Sequence, residues 1–184
     1  MKRTKGEKMQ SIGKKFEANW KKSCPDYLLV YRPPDSAQGF DVGASNKLRF
    51  SQHSPCDFFM FDSMNRIFYA LELKTFQGSC SFERCKEDKG IIHYYQIQSL
   101  KDFARYDNVC SGFILDFRKS DNTYFLSITE WDDLINSINK KSFNEEDLLK
   151  YCSPILINKK LLRTNYKYDI DKFCQEIMNI NEFK

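Results

Sequence analysis

No stretch of this sequence approaches the ~20 consecutive apolar residues that a membrane-crossing helix requires, which excludes a bilayer-spanning helix. Glycine is scarce, with seven residues in 184. No glycine-rich loop joins a strand to a helix, so dinucleotide-binding and P-loop readings find no support, and no nucleotide cofactor is expected. Histidine occurs only at His53 and His93. Neither has a serine or cysteine nucleophile arranged around it, and neither H-x-E nor H-E-x-x-H occurs. The seven cysteines are odd in number and scattered, with no C-x-x-C pair. Cys80 and Cys85, with His93 eight residues on, match zinc-ligand spacing poorly. Reduced thiols in a cytosolic setting are expected instead. Met1-Lys2-Arg3-Thr4-Lys5 is basic, but no apolar signal core follows it, so the expected location is cytoplasmic. There is no internal repeat and no low-complexity segment.

What the chain does have is a globular composition, 41% hydrophobic and 15% aromatic. That suffices for one domain spanning 1–184 with a real core and no disulfide staples. The net charge of +4 permits nucleic acid as a partner without demanding it. Its distribution is more informative. Lys2, Arg3, Lys5, Lys8, Lys14 and Lys15 crowd the first fifteen residues against Glu7 alone, either as a solvated tail or as a phosphate-facing patch.

Periodicity places the elements. Ile12, Phe16 and Trp20 recur at helical spacing between Ser11 and Lys22, and Ser23 to Asp26 ends that helix. Tyr27–Tyr31 is a short strand of β-formers. Arg32 to Pro55 is long for a plain connection. The apolar runs Asp57–Phe61 and Ile67–Lys74, separated by Asp62–Arg66, should pair as a hairpin. A helix is expected between Gly90 and Tyr106, and a second strand pair at Val109–Phe117 and Thr123–Ile128. Thr129 reads as the N-cap of a helix led by Glu130, Asp132 and Asp133. Ser142 and Glu145 read as a capping box, and Asp169–Glu182 as a final amphipathic helix. The order α-β-β-β-α-β-β-α fits an α+β mixed sheet flanked by helices better than a doubly wound parallel fold.

Chemistry concentrates on the strand from Ile67 to Thr75. Glu72 and Lys74, two apart, project from one face of a run that otherwise reads as buried, an expensive place for a carboxylate and an ammonium. An ion pair at the strand end would explain them. The partner strand, however, opens on Asp57. Two carboxylates from neighbouring strands with a lysine beside them form an oxygen-rich site suited to Mg²⁺, with Mn²⁺ as a substitute. Such a site serves phosphodiester cleavage: the metal polarises the phosphate and activates water, and the lysine stabilises developing charge.

Asp57 followed by Glu72-Leu73-Lys74 on the next strand resembles the PD-(D/E)XK nuclease superfamily, with its restriction-endonuclease-like core. Over most of its length the chain further resembles Holliday-junction resolvases of the RecU type. Gly13-Lys14-Lys15-Phe16-Glu17 resembles that family's opening helix. Tyr31-Arg32-Pro33-Pro34 precedes a stalk-like insertion at about 33–55. His93-Tyr94-Tyr95-Gln96-Ile97 resembles a helix motif ending in His-Gln-Ile. Tyr124-Phe125-Leu126 matches a late strand, and Ser142 to Phe173 resembles the C-terminal segment, here a small helical region at about 142–184. The chain departs from the pattern at Pro55, where the family carries a threonine, and in a longer interval from Glu72 to Gln96 through an insertion at Ser79–Gly90.

The resemblance implies a metal-dependent endonuclease resolving four-way junctions in recombination and repair, acting as a homodimer. It implies Asp57, Glu72, Lys74 and Glu17 as catalytic residues and Asp57, Glu72 and Gln96 at the metal. Lys14, Lys15, Arg32, Lys47 and Arg49 are the expected DNA contacts. Two other functions fit the residues: a restriction-like or repair nuclease of the same superfamily, and a catalytically inactive DNA-binding accessory module. The aromatic rings are mostly core, with Tyr27, Tyr31, Tyr94 and Tyr95 able to stack on unpaired bases.

Overall fold

The computed structural model describes residues 11–34 and 54–181. Most of the stalk-like insertion expected at 33–55 and the basic residues before Ser11 lie outside the described residues.

A six-stranded mixed sheet in the order β1-β2-β3-β5-β6-β8 organises the chain. Its members are β1 (Leu28–Tyr31), β2 (Phe58–Asp62), β3 (Ile67–Phe76), β5 (Val109–Phe117), β6 (Asn122–Ser127) and β8 (Ile155–Leu156). Every neighbouring pair is antiparallel except β3 and β5. That parallel pair needs a crossover, which is supplied by β4 (Ser79–Ser81) and helix α2 (Tyr94–Phe103). The expected fold class, a mixed sheet flanked by helices, is what the structure has.

β3 is buried along nearly its whole length, because both faces are covered. Its even-numbered residues, Ala70 and Phe76 among them, share a core with Ile97 and Leu100 of α2. Trp131 and Leu134 of α3 (Trp131–Ser137) and Leu148 of α4 (Glu145–Tyr151) complete that core. Its odd-numbered residues Tyr69, Leu71 and Leu73 share the opposite core with Phe16 and Trp20 of α1 (Ile12–Ser23). Phe173, Cys174 and Ile177 of α5 (Ile170–Asn181) close that side. A strand buried on both sides loses the polar alternation of a half-exposed one, so Glu72 and Lys74 stand out all the more.

Local chemistry sets the element ends. Ser11 caps α1 by accepting the Lys14 N–H at 3.3 Å, and Lys21 and Lys22 lie in the last turn, favourable to the helix dipole. The β2–β3 turn is fixed by Asp62, whose carboxylate accepts the backbone N–H groups of Met64 and Asn65 and the Asn65 side-chain amide. Arg66 takes the left-handed conformation that closes the turn, with φ 57°.

Three expectations are corrected. Thr129 is not an N-cap: the cap is Ser127, whose hydroxyl accepts the Thr129 N–H, and a single 3-10 turn at Ile128–Glu130 leads into α3. Ser142 and Glu145 do not form the capping box. Asn144 and Asp147 form it, because Ser142 is drawn into β7 (Ser142–Asn144) by pairing with Ser81 of β4. The C-terminal region is not simply helical. Besides β7 and β8 it contains an antiparallel hairpin of β9 (Lys159–Leu162) and β10 (Asn165–Tyr168).

Candidate active site

The β2–β3 register pairs Phe58 with Leu71, so Asp57, one residue ahead of β2, falls opposite Glu72. Residues opposite each other in an antiparallel pair carry side chains on one face. The half-buried Asp57 accepts the backbone N–H of Leu73 at 2.8 Å, which ties it to the β3 segment carrying Glu72 and Lys74. Glu72 is 3% exposed. Its Oε1 meets Lys74 Nζ at 2.9 Å and the Gln96 side-chain amide at 2.5 Å. Four expected site residues, Asp57, Glu72, Lys74 and Gln96, thus converge from β2, β3 and α2.

Gln96 enters in a role its sequence position does not reveal. Its carbonyl oxygen accepts the backbone N–H of His93 at 3.0 Å at the start of α2. The amide therefore faces Glu72 as a donor. Burial pushes the Glu72 carboxyl up to about 7, with Lys74 pulling it down and the charges of Asp57 and Glu17 pushing it up. That balance also places Glu17 within electrostatic reach of the site. Glu17 pairs with Arg32 at 2.7 Å, so the residue expected at phosphate is clasped to α1 where β1 ends. Lys14 and Lys15 are exposed on the same helix. Lys47 and Arg49, expected DNA contacts, and His53 lie outside the described residues.

Among the described residues, no group of three or more histidine, cysteine and carboxylate side chains is arranged to hold a metal. The donor set is the Asp57–Glu72 pair. Two carboxylates with waters and substrate phosphate are the usual protein contribution to a Mg²⁺ site, so these residues fit that ion and lack the closed ligand set of structural zinc. All seven cysteines are free thiols. Cys56, beside Asp57, is 2% exposed. Burial, with the nearby charges of Glu72 and Asp57, raises its pKa and keeps it a neutral thiol.

One neighbour, Glu83, was not assigned from sequence, and Tyr95 was read there only as one of four tyrosines able to stack on unpaired bases. Glu83 accepts the Tyr94 backbone N–H at 2.8 Å and binds His93 Nδ1 at 2.8 Å. Tyr95, adjacent to Gln96, feels the charges of Glu72, Lys74 and Asp57 after burial, which together raise its phenol pKa. No spacing rule joins Glu83 to a helix starting eleven residues later. The long interval from Glu72 to Gln96 was the only hint.

No protein-family model matches the chain. Over 181 aligned residues it is 29% identical to the SPbeta prophage-derived uncharacterized protein YotM of Bacillus subtilis (strain 168), a match covering 90% of this chain and 86% of that protein. Among solved structures it is similar to Hjc, a Holliday junction resolvase of the archaeal hyperthermophile Archaeoglobus fulgidus. That likeness has a TM-score of 0.39 at 14% identity, covering 74% of this chain and 87% of that one.

Proposed function

We propose that the protein is a structure-selective DNA endonuclease of the PD-(D/E)XK type that resolves four-way junctions with Mg²⁺ held between Asp57 and Glu72. The observation that carries this reading is the convergence of two carboxylates and Lys74 from adjacent strands at the edge of a core. Desolvating such groups costs several kcal/mol per ion, and apolar residues of similar volume often serve stability as well or better. Their presence therefore calls for a chemical use. The RecU-like motifs of the sequence support the same reading.

A bound Mg²⁺ would supply polarisation of the phosphate and a water of lowered pKa. The chain's own residues do the rest. Gln96 and Lys74 fix the rotamer of Glu72, and the Leu73 N–H fixes Asp57. Lys74 Nζ, beside Glu72, would donate to a phosphate oxygen as charge develops. Arg32, at the rim with Glu17, and the exposed Lys14 and Lys15 are the candidates for phosphates flanking the cut. Paired incisions across a junction need two sites, which a twofold-symmetric dimer provides.

Labelled four-way, Y-shaped and linear DNA incubated in Mg²⁺, Mn²⁺ and Ca²⁺ tests the proposal. The expected result is cutting of the four-way junction in Mg²⁺ and Mn²⁺, with binding but no turnover in Ca²⁺. Asp57→Asn and Glu72→Gln should abolish cutting and leave binding intact. Full activity in excess EDTA overturns the metal mechanism. Equal cutting of linear duplex shifts the reading to a general restriction-like or repair nuclease.

A further inference from the structure

Next to the carboxylates, the start of α2 presents a flat ring pair that phosphodiester chemistry does not require. Tyr95 is 37% exposed. Its ring lies parallel to that of His93, with centroids 5.6 Å apart and planes 10° apart. Gln96, the next residue, touches Glu72, and the charges of Glu72, Lys74 and Asp57 reach the Tyr95 phenol, so the pair adjoins the site.

The pair is held at the His93 ring edge by a dedicated piece of chain. Glu83 grips both the His93 ring and the Tyr94 N–H. The loop that delivers Glu83 is itself closed. Ser81 accepts the backbone N–H groups of Ile91 and Ile92, and the Glu83 N–H donates to the Ile92 carbonyl. A side chain at Gly90 would collide with the Phe82 backbone at 2.6 Å. Arg84 donates to the carbonyls of Ile135 and Ile138 just beyond Glu83, anchoring the loop on the α3 region. This is the segment by which the interval from Glu72 to Gln96 exceeds the resolvase pattern.

The chemistry of the platform selects its occupant. A bare helix start would attract phosphate. Here the Tyr94 N–H is already given to Glu83 and the His93 N–H to Gln96. A phosphate seated on the rings themselves, with the Glu83 carboxylate at the His93 ring edge and those two N–H groups taken, would be penalised. A neutral nucleobase has no such penalty, and every base offers a face for stacking. We infer that the His93–Tyr95 pair is a stacking platform for an unstacked base beside the scissile phosphate, so that the site favours DNA opened at the cut, as at a branch point. The inference rests on the nuclease reading and names the feature of the substrate that the site recognises.

The test places 2-aminopurine, whose fluorescence reports stacking, beside the branch point of a four-way junction, with the same base fully paired in linear duplex as control. Wild type, Tyr95→Phe, Tyr95→Ala and His93→Ala are bound in Ca²⁺, and cleavage is followed separately in Mg²⁺. Wild type and Tyr95→Phe should change the branch-point signal, and Tyr95→Ala should not. Junction affinity should fall roughly tenfold in Tyr95→Ala, the scale of losing one stacked aromatic, with linear-duplex affinity unchanged. Matching thermal melts confirm that the variants fold. An unaltered signal in Tyr95→Ala, or equal losses on junction and duplex, overturns the platform. If wild type cuts junctions with no 2-aminopurine response, the platform alone fails. If wild type neither binds nor cuts branched DNA, the nuclease reading fails with it.

Discussion

Gln96 donates its side-chain amide to Glu72 while its own carbonyl takes the backbone N–H of His93, so one side chain ties the start of α2 to the middle of the central strand. That double use makes Gln96 sensitive to both size and polarity. Gln96→Ala should lower Mg²⁺ affinity or activity by about 10–100-fold, as losing a partner that orients a ligand does. Gln96→Glu should be worse, since it sets a third carboxylate against Glu72. Metal-titrated cleavage separates the two, and wild-type metal dependence in Gln96→Ala would show that Glu72 needs no such brace.

Lys74→Ala should slow cleavage by about 10²-fold or more, the scale of removing one transition-state donor, with a smaller effect on metal affinity. Single-turnover rates per folded molecule are the measurement. An unchanged rate with a lower Tm would mean that Lys74 serves only as the ion-pair partner of Glu72.

Glu72 should cost stability in metal-free protein. Its carboxyl is raised to about 7 in the fold by burial, against the ordinary unfolded range near 4.3. Between these values the folded state holds a proton that the unfolded chain has released, so stability falls as pH rises through this window and levels off above it. Melting in EDTA should therefore show Glu72→Gln more stable than wild type at pH 8, with the gain shrinking toward pH 5. A constant difference across that range would contradict the buried-carboxylate account.

Arg32 is clasped by Glu17 at 2.7 Å, and both side chains are partly exposed. An exposed pair of this kind is worth about 0–1 kcal/mol, little enough for a phosphate to compete. Arg32→Ala should flatten the salt dependence of DNA binding by about one unit of slope and barely move Tm. The opposite outcome, a lower Tm with an unchanged slope, would make the pair a latch between α1 and the end of β1.

On the other face of the sheet, Asp116 accepts from Thr75, Thr123 and Lys159, and Lys159 also pairs with Asp121. This network pins the β9–β10 hairpin to the core. Removing one partner of a buried pair typically costs about 3–5 kcal/mol. Lys159→Met should lower Tm clearly while leaving the cleavage rate per folded molecule unchanged. A catalytic loss without a stability loss would mean that the network reaches the active face.

The main elements were legible in the residue pattern because their periods are strong. The helical spacing of Phe16 and Trp20 gave α1, and the apolar runs on either side of Asp62–Arg66 gave the β2–β3 hairpin. The smaller strands were not legible. The β9–β10 hairpin has a mostly exposed ladder and turns at Arg163, with φ 57°. It lacks the Asn-Gly signal by which short hairpins are usually read. Ser142 carried a plausible capping pattern, but pairing with Ser81 decided its state, and no local rule contains a partner sixty-one residues away.

The candidate site divides in the same way. The sequence alone determined that a carboxylate and a lysine would share one face of a buried strand, because side chains two apart in a strand project together. It also placed Asp57 at the start of the partner strand, since a short turn between two runs leaves one dominant pairing. The family resemblance pointed to Glu17 and Gln96, but only the tertiary structure decided that Gln96 touches Glu72, that Arg32 clasps Glu17, and that Glu83 holds His93 and the Tyr94 N–H next to Tyr95. The tertiary structure also decided that Gln96 would face Glu72 with its amide. Those contacts depend on how α1, α2 and the 79–93 loop pack against the sheet, and packing is set by the sum of many apolar contacts between distant segments rather than by any one spacing.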